Sequence, residues 1–296
     1  MGPSVTRPAG NDQTSLMSST VLGLVRASHP EPVALVTTVA GLLAWGVGHP
    51  SSGVAAVAGT VLATQLAVGW TNDALDAGRD RLVGRTDKPV AAGAVGRRTV
   101  AVAAALAALA CPVVAASTTT LPATIWITVA LVSALLYDWP LKSTPWSVLP
   151  YAVSFGALPA FVVLALPGAP APPVWLVAAG ALLGAGAHFA NVLPDLADDA
   201  RTGVRGLPHR LGAAGSRVAA VALLFAATVT LVLGPPGPPS WTGLSAVAAA
   251  AAAPAVGWYA GRAAGRSGGR PVAAFRAVMV VALIDVVLLV TSGRVV

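Results

Sequence analysis

Two stretches of this sequence carry side-chain oxygens at a regular spacing of four residues. The first runs from residue 72 to 89 and the second from 191 to 208, and both obey the pattern N-x3-D-x3-D-x3-G-x4-P. Residues four apart lie on one face of a helix, so each stretch predicts a helical face with three oxygen donors. The donors are Asn72, Asp76 and Asp80 in the first copy and Asn191, Asp195 and Asp199 in the second. We infer that the two copies are the halves of one site.

The crowded carboxylates determine the chemistry of such a site. Asp73 and Asp198 lie beside the motif residues, and cations or protons must offset the mutual repulsion of so many carboxylates. An all-oxygen donor set favours Mg²⁺ over zinc or copper, and Mg²⁺ commonly completes its shell with substrate phosphate. Cationic side chains that suit a polyphosphate adjoin both copies, namely Arg79, Arg85, Lys88, Arg201 and Arg205. The sequence predicts a magnesium-bridged diphosphate; the alternative is a set of solvated, mutually paired loop charges.

The composition is that of a chain that spans a membrane several times. Hydrophobic residues make up 56% of the chain and charged residues only 10%, against about a quarter charged in soluble proteins. The single cysteine, Cys111, lies in an apolar segment and excludes a disulfide framework. The net charge of +7 does not indicate nucleic-acid binding, because the basic residues are confined to short loops. We expect a disordered tail over residues 1–20 and one transmembrane domain over 21–296.

Nine apolar segments are long enough to cross a bilayer as helices. They lie near residues 31–48, 53–75, 99–116, 121–138, 146–166, 174–194, 216–233, 241–260 and 272–292. With a cytoplasmic N-terminus, this count places all of the 18 Lys and Arg residues except Arg294 on the cytoplasmic side, as the positive-inside rule requires. The predicted fold class is therefore an all-α polytopic membrane protein with nine transmembrane helices.

The repeated motif also predicts how the helices are arranged. Its two copies follow the second and sixth segments, which run in the same direction across the membrane. We infer two parallel four-helix repeats, roughly residues 26–142 and 146–262, with a ninth helix appended. The acidic faces could then converge at the cytoplasmic end. Pro194, just before Asp195, should bend its helix and free a backbone carbonyl.

Several motifs together resemble those of a known family. The stretches N-D-A-L-D-A-G-R-D and D-L-A-D-D-A-R-T-G are similar to the two aspartate-rich motifs of the UbiA superfamily of intramembrane prenyltransferases. Further similar stretches are R-A-S-H-P from residue 26, R-T-D-K-P-V-A-A-G from 85, Y-D-W-P-L-K from 137 and L-P-H-R-L-G from 207. The resemblance implies Mg²⁺-assisted ionisation of an allylic isoprenyl diphosphate and transfer of the isoprenyl group to an acceptor. It also agrees with nine helices in the cell membrane and a site that faces the cytoplasm.

Residue roles follow from the resemblance by position in the motifs. The implied metal ligands are Asn72, Asp76, Asp80, Asp195 and Asp199. The implied diphosphate-binding residues are Arg26, Arg79, Lys88, Tyr137, Lys142 and Arg205. The implied catalytic residues are Asp76, Asp195, Lys88, Tyr137 and Lys142. One departure is His29, which stands where the family often has a basic residue.

Three further polar residues carry weaker indications of function. Asp285 lies in the middle of the ninth segment, and a carboxylate at that depth is either functional or a hydrogen-bonded structural group. His188, just before the second motif, is expected to make a helix contact in preference to binding an acceptor. His209 is expected to lie in a loop.

The sequence leaves the acceptor open among a quinone-precursor aromatic, a lipid or sugar phosphate, and a secondary-metabolite ring. A terpene cyclase of the UbiA type, in which the isoprenyl chain captures its own cation, is the alternative that shares the metal site. A transporter or non-catalytic membrane scaffold is the alternative from another class, since helical repeats are common there too.

Overall fold

The computed structural model of the protein describes residues 10–264 together with 283, 284 and 287. Over this part of the chain every regular element is helical, which confirms the all-α prediction there. The helices are α1 Gly10–Ala27, α2 Pro30–Val47, α3 Ser51–Leu82, α4 Arg97–Thr118, α5 Leu121–Asp138, α6 Val148–Leu164, α7 Val174–Val192, α8 Leu196–Arg201, α9 Leu207–Leu233 and α10 Trp241–Ala264. A 3₁₀ turn, Leu141–Ser143, lies between α5 and α6.

Six of these helices are long and apolar enough to cross a membrane: α2, α3, α4, α5, α7 and α9. Helix α6 and the Trp241–Ala252 part of α10 are shorter apolar helices. The first eight predicted segments thus coincide with helices, while the ninth, near 272–292, falls outside the described part of the chain except for three residues. The count of nine spans and the cytoplasmic N-terminus stay predictions.

Helix α1 occupies part of the region for which the sequence indicated a disordered tail. The prediction weighed the Ser, Thr, Gly and Pro content of residues 1–20 and overlooked apolar residues at helical spacing, such as Met17, Val21 and Val25. The end of this helix is held to α3, because the indole nitrogen of Trp70 donates to the carbonyl of Leu24 at 2.8 Å.

Helix α3 has 32 residues, which corresponds to a length of about 48 Å. The hydrocarbon core of a bilayer is only about 30 Å thick, so one end of this helix extends beyond it. That end is acidic and carries the first motif. The predicted span, 53–75, was shorter because it counted only the apolar part of the same helix.

Helices α6 and α7 approach each other closely at two glycines. A Cβ atom on Gly180 would lie 2.4 Å from the carbonyl oxygen of Phe155, and one on Gly184 would lie 2.5 Å from that of Tyr151. Such small residues four apart let helix backbones pack tightly where lipid offers no hydrophobic driving force between helices. This contact fixes one wall of the cavity described below.

The packing order of the helices follows a similar scheme in the two halves of the chain. Helix α2 packs on α3 and α3 on α4, while α6 packs on α7 and α7 on α9. Helix α9 includes a kink at Gly212, where φ is 68° and ψ is 177°. The division into repeats at 26–142 and 146–262 stays a prediction, although this order of neighbours is the one that a parallel duplication would produce.

Candidate active site

The two acidic motifs line the same cavity. It has a volume of about 810 Å³, and its walls include all six motif residues: Asn72, Asp76 and Asp80 from α3, Asn191 from α7, and Asp195 and Asp199 from the segment around α8. Two motifs more than a hundred residues apart in the sequence thus converge on one space.

One face of α3 forms a wall that changes from apolar to acidic along its length. Val61, Val68, Asn72 and Asp76 all line the cavity, and helical rise places the first and last of them about 22 Å apart. Val36, Ile127, Leu158 and Leu183 add apolar side chains from other helices. The cavity can therefore receive a ligand with an anionic head and a long apolar tail.

Asp76 lies at the centre of the polar end. The ammonium of Lys142 donates to both of its carboxylate oxygens, at 2.6 and 2.8 Å, and Arg79, three residues later on α3, also donates to it. Lys142 is 9% exposed and comes from the 3₁₀ turn after α5. Helix α5 ends at Asp138 because Pro140 disfavours helical backbone at Trp139, which is extended.

The connection between α3 and α4 brings a second cation to the motifs. Arg85 makes two hydrogen bonds with Asp87, at 2.9 and 2.8 Å, and donates to Asp195 of the other motif at 3.1 Å. Val90 and Val95 of this connection are buried against Ala74, which anchors the segment to α3. A guanidinium from the loop after α3 thus contacts a carboxylate of the second motif.

Lys88 is oriented by two partners. Its ammonium lies 3.0 Å from Nε2 of His29 and 3.3 Å from Oδ1 of Asp73. Burial and the charge of Lys88 lower the pKa of His29, so the imidazole is neutral near pH 7 and accepts the hydrogen bond. His29 therefore helps to position the ammonium of Lys88. It does not itself carry the positive charge that the family often has at this position.

The second motif lies where its helix is broken. Pro194 has no N–H to donate to the carbonyl of Ala190, and helix α7 ends at Val192. The sequence predicted a bend here, whereas the structure has a break, and a new short helix, α8, starts after Asp195. Burial, and then the charge of Asp195, raise the pKa of Asp199 to about 6.

The glycine that both motifs share ends the helix in each copy. Gly84 and Gly203 have φ values of 72° and 86°, a left-handed conformation that glycine adopts without steric cost. The next residue donates its N–H to the third motif position in both cases: Arg85 to the carbonyl of Asp80 and Val204 to that of Asp199, each at 2.9 Å. This six-residue hydrogen bond is a Schellman ending.

The carboxylates fit a hard divalent cation by their chemistry. All donors are oxygens, which Mg²⁺ prefers, and Oδ2 of Asp80 is buried without a hydrogen-bond partner. Across the described residues, no three His, Cys, Asp or Glu side chains stand in a metal-binding arrangement. In this structure the cationic side chains of Lys142, Arg79 and Arg85 pair with Asp76 and Asp195.

The predicted diphosphate-binding residues fall into two groups. Arg26, Lys88, Tyr137 and Lys142 line the cavity, and Arg79 reaches it through Asp76. Arg205 does not line it. This side chain is exposed because it lies between two buried neighbours, Val204 and Gly206, in an extended segment that turns it outward. Asp285 lies outside the described residues.

His188 has both features that the sequence weighed against each other. Its Nε2 atom lies 3.0 Å from Oγ of Ser147, which also accepts the N–H of Leu207 at 2.9 Å. That contact ties α7 to α6 and α9 as a structural histidine would. The ring is nevertheless part of the cavity wall, next to Tyr137 and Tyr151.

The sequence profile of the UbiA prenyltransferase family matches residues 34–284 of this chain. The chain belongs to that family. The match confirms the resemblance drawn from the acidic motifs. Comparison with curated proteins gives no match.

Solved structures of UbiA homologues share the fold. A UbiA homologue from Aeropyrum pernix K1 has 21% identity and a TM-score of 0.67, covering 89% of this chain and 96% of its own. One from Archaeoglobus fulgidus, bound to GPP and Mg²⁺, has 14% identity and a TM-score of 0.62, covering 93% and 100%. A digeranylgeranylglyceryl phosphate synthase structure has 16% identity and a TM-score of 0.64, covering 95% and 99%. At these identities the likeness shows the fold alone.

Three residues at this UbiA-family site were not among the expected site residues. Arg85 was noted as a nearby cation, but its contact with Asp195 depends on the path of a connection that spacing does not predict. His209 lies in α9, not in a loop, and its Nε2 is 3.6 Å from Asp199. Asp138 lines the cavity between Tyr137 and Lys142. The similar stretches L-P-H-R-L-G and Y-D-W-P-L-K contain His209 and Asp138, so those matches were the available signal.

Proposed function

We propose that this protein transfers an isoprenyl group from an allylic isoprenyl diphosphate to an acceptor within the membrane. The reaction depends on Mg²⁺ and proceeds by ionisation to an allylic cation. The acceptor is of the aromatic or lipid-like class. The protein lies in the cell membrane, crosses it several times and opens its site toward the cytoplasm.

The observation that supports this function best is the shared cavity of the two acidic motifs. Its polar end combines oxygen donors for Mg²⁺ with cations for phosphate, and its other end is apolar. Family membership supports the same reaction type, as do the UbiA homologue structures bound to GPP or DMAPP with Mg²⁺. A transporter or scaffold has no need for this combination of groups.

Each group at the polar end has a role in that reaction. Asn72, Asp76, Asp80, Asp195 and Asp199 would hold Mg²⁺, which supplies a Lewis acid that stabilises negative charge on the leaving diphosphate. Arg26, Lys88, Tyr137 and Lys142 would bind diphosphate oxygens, and Arg79 would do so after release from Asp76. Tyr137 would donate through its hydroxyl group. Arg85 is well placed to add a further contact, since it already lies between the motifs.

The apolar end of the cavity protects the reactive carbon. An allylic cation reacts with any nearby nucleophile, including water, so the isoprenyl chain needs a dry wall. Val61, Ile127, Leu158 and Leu183 supply such a wall. No general base is assigned, and the proton that an aromatic acceptor loses can leave with diphosphate or a carboxylate.

A product screen tests the proposal. Membranes that contain the protein are incubated with C10 to C20 allylic diphosphates and a panel of acceptors, with and without Mg²⁺, and the products are identified by mass spectrometry. We expect a prenylated acceptor and released diphosphate only when Mg²⁺ is present. The control is the same membrane preparation with the Asp76→Asn variant.

The same screen separates the alternatives. A cyclised hydrocarbon formed without acceptor would identify a terpene cyclase. Diphosphate release that is indifferent to both Mg²⁺ and Asp76→Asn would contradict the mechanism. Absence of any product from every donor, with a folded protein that binds no divalent cation, would favour a transporter or scaffold.

A further inference from the structure

Asp138 makes a contact with the first acidic motif that the proposed function does not use. It is the last residue of α5 and is only 3% exposed. Its Oδ1 accepts a hydrogen bond from the amide nitrogen of Asn72 on α3, at 3.1 Å. The same nitrogen also donates to Oδ2 of Asp76, at 3.3 Å. A carboxylate from one helix thus contacts an implied metal ligand of another.

These two hydrogen bonds determine which way the Asn72 amide faces. A side-chain amide has two N–H donors on one branch and a carbonyl acceptor on the other. With both N–H groups directed at carboxylates, the carbonyl oxygen is the only atom left that can bind a cation. A flipped amide would place that oxygen against two carboxyl groups and lose both bonds. Within the described part of the chain, no donor occupies the carbonyl oxygen of Asn72.

Asp76 alone does not fix this orientation. It lies on the same helix, one turn from Asn72, and its oxygens also receive Lys142 and Arg79. Any group that draws those cations away changes the position of Asp76. Asp138 comes from another helix and ends it at a point fixed by Trp139 and Pro140. It is therefore the partner that can hold the amide while Asp76 changes partners.

The geometry points to Asp138 as a positioning residue that orients the Asn72 carbonyl toward the divalent cation of the site. This inference rests on the proposed function, because it assumes that Asn72 is a metal ligand. Asp138 acts through the amide and through hydrogen bonding, so a neutral acceptor of the same shape should replace it in part. Partners that orient a metal ligand typically contribute tenfold to a hundredfold in metal affinity.

Binding of Mn²⁺ as a spectroscopic substitute for Mg²⁺ tests this role without any turnover. Electron paramagnetic resonance measures free Mn²⁺ over the purified full-length protein in detergent. We expect Asp138→Ala to weaken Mn²⁺ binding about tenfold or more. We expect Asp138→Asn, which keeps the acceptor oxygen, to stay within about threefold of the unmodified protein, since a neutral acceptor retains part of the hydrogen bond.

A double-mutant cycle with Asn72 locates the effect. If Asp138 works through the amide, Asp138→Ala should cause no further loss of Mn²⁺ affinity once Asn72 is alanine. An equal additional loss would overturn the inference, as would equal loss in Asp138→Ala and Asp138→Asn, which would identify a direct ligand or a purely charge-based role. Unchanged affinity in Asp138→Ala would overturn it as well.

A second variant keeps the inference testable if Asp138→Ala does not fold. Asn72→Asp retains an oxygen ligand and adds a negative charge, but it cannot donate to Asp138. The inference requires weaker Mn²⁺ binding despite the added charge, and tighter binding would overturn it. Failure of the unmodified protein to bind Mn²⁺ would contradict the proposed function itself. Weaker binding in Asn72→Ala together with normal binding in Asp138→Ala would contradict only the role of Asp138.

Discussion

The two acidic motifs have the same spacing and the same helix ending, yet they differ in backbone and in partners. The first lies on one continuous helix, while the second spans the break at Pro194. The amide of Asn72 donates to two carboxylates, whereas the amide of Asn191 donates to the hydroxyl of Tyr151 at 3.1 Å. A repeated spacing therefore preserves where oxygens lie along the chain but not what holds each of them.

The two motifs also differ in the number of their ion pairs. Asp76 accepts hydrogen bonds from two cationic side chains, those of Lys142 and Arg79. Asp195 accepts one, from the guanidinium of Arg85. The first copy is thus the more strongly neutralised half of the site. This comparison suggests that the halves contribute unequally to cation binding, and the following changes can measure by how much.

The largest effect should come from the motif carboxylates themselves. We expect Asp76→Asn and Asp195→Asn each to lower the initial rate of diphosphate release by more than about tenfold, because each removes a charge from a proposed metal ligand. Asp198→Asn is the matched control, since Asp198 carries a carboxylate three residues after Asp195, in α8, without lining the cavity. If Asp198→Asn lowered the rate of diphosphate release as much as Asp195→Asn, the assignment of Asp195 instead of Asp198 to the site would be wrong.

The next effect concerns the link between the halves. Arg85→Gln should raise the KM for the allylic diphosphate about tenfold, since charge-assisted hydrogen bonds contribute about 1.5–3 kcal/mol. Arg205→Gln should change it little, because this arginine is exposed and does not line the cavity. Steady-state kinetics on both variants measures the two KM values. Equal losses would mean that Arg205 reaches the diphosphate in the loaded enzyme, as the family resemblance implies.

A smaller effect should appear with pH in the second half of the site. Burial and Asp195 raise the pKa of Asp199 to about 6, so its carboxylate is protonated below that pH and loses its ability to bind a cation. Mg²⁺ titrations should therefore show affinity falling about fourfold from pH 7 to 5.5, as expected for one proton displaced on binding. An affinity that is flat over this range would show that Asp199 is not a ligand or is ionised throughout.

The smallest effect should be the same in both halves. Gly84→Ala and Gly203→Ala each force a side chain into a left-handed conformation, which costs roughly 1–2 kcal/mol. The midpoint temperature of thermal unfolding should fall by a similar small amount in the two variants. Gly78→Ala is the control, because a Cβ on Gly78 would meet nothing within 4 Å and the φ of Gly78 is not left-handed. Clearly unequal shifts would mean that the two helix endings are not equivalent.

Much of this molecule follows from its sequence because apolar length and motif spacing are local properties. Eight apolar segments become helices, and the spacing of Asn72 and Asp76 predicts a common face on α3. Side chains that act through contacts with distant segments do not follow in the same way. The contact from Arg85 to Asp195 and that from Asn72 to Asp138 join residues 110 and 66 positions apart, and no periodicity encodes such pairs.

Helix α1 and the exposed position of Arg205 show the other limit. Composition indicated a tail where the structure has a helix, and motif position indicated a binding residue at a side chain that is exposed in this structure. The role of Arg205 in diphosphate binding stays a prediction. At Arg205 the deciding feature is the direction of one side chain. Residue type alone does not contain that information.

The unbroken length of α3 has a consequence for the lipid environment. Helix α3, with its 32 residues, should respond to a change in bilayer thickness by tilting or shifting as a unit. Asp76 would move with it. Asp195 stands behind a proline hinge and need not follow. Reconstitution in lipids of short and long acyl chains should therefore alter the registry of the two carboxylates, so that membrane thickness itself tunes the enzyme.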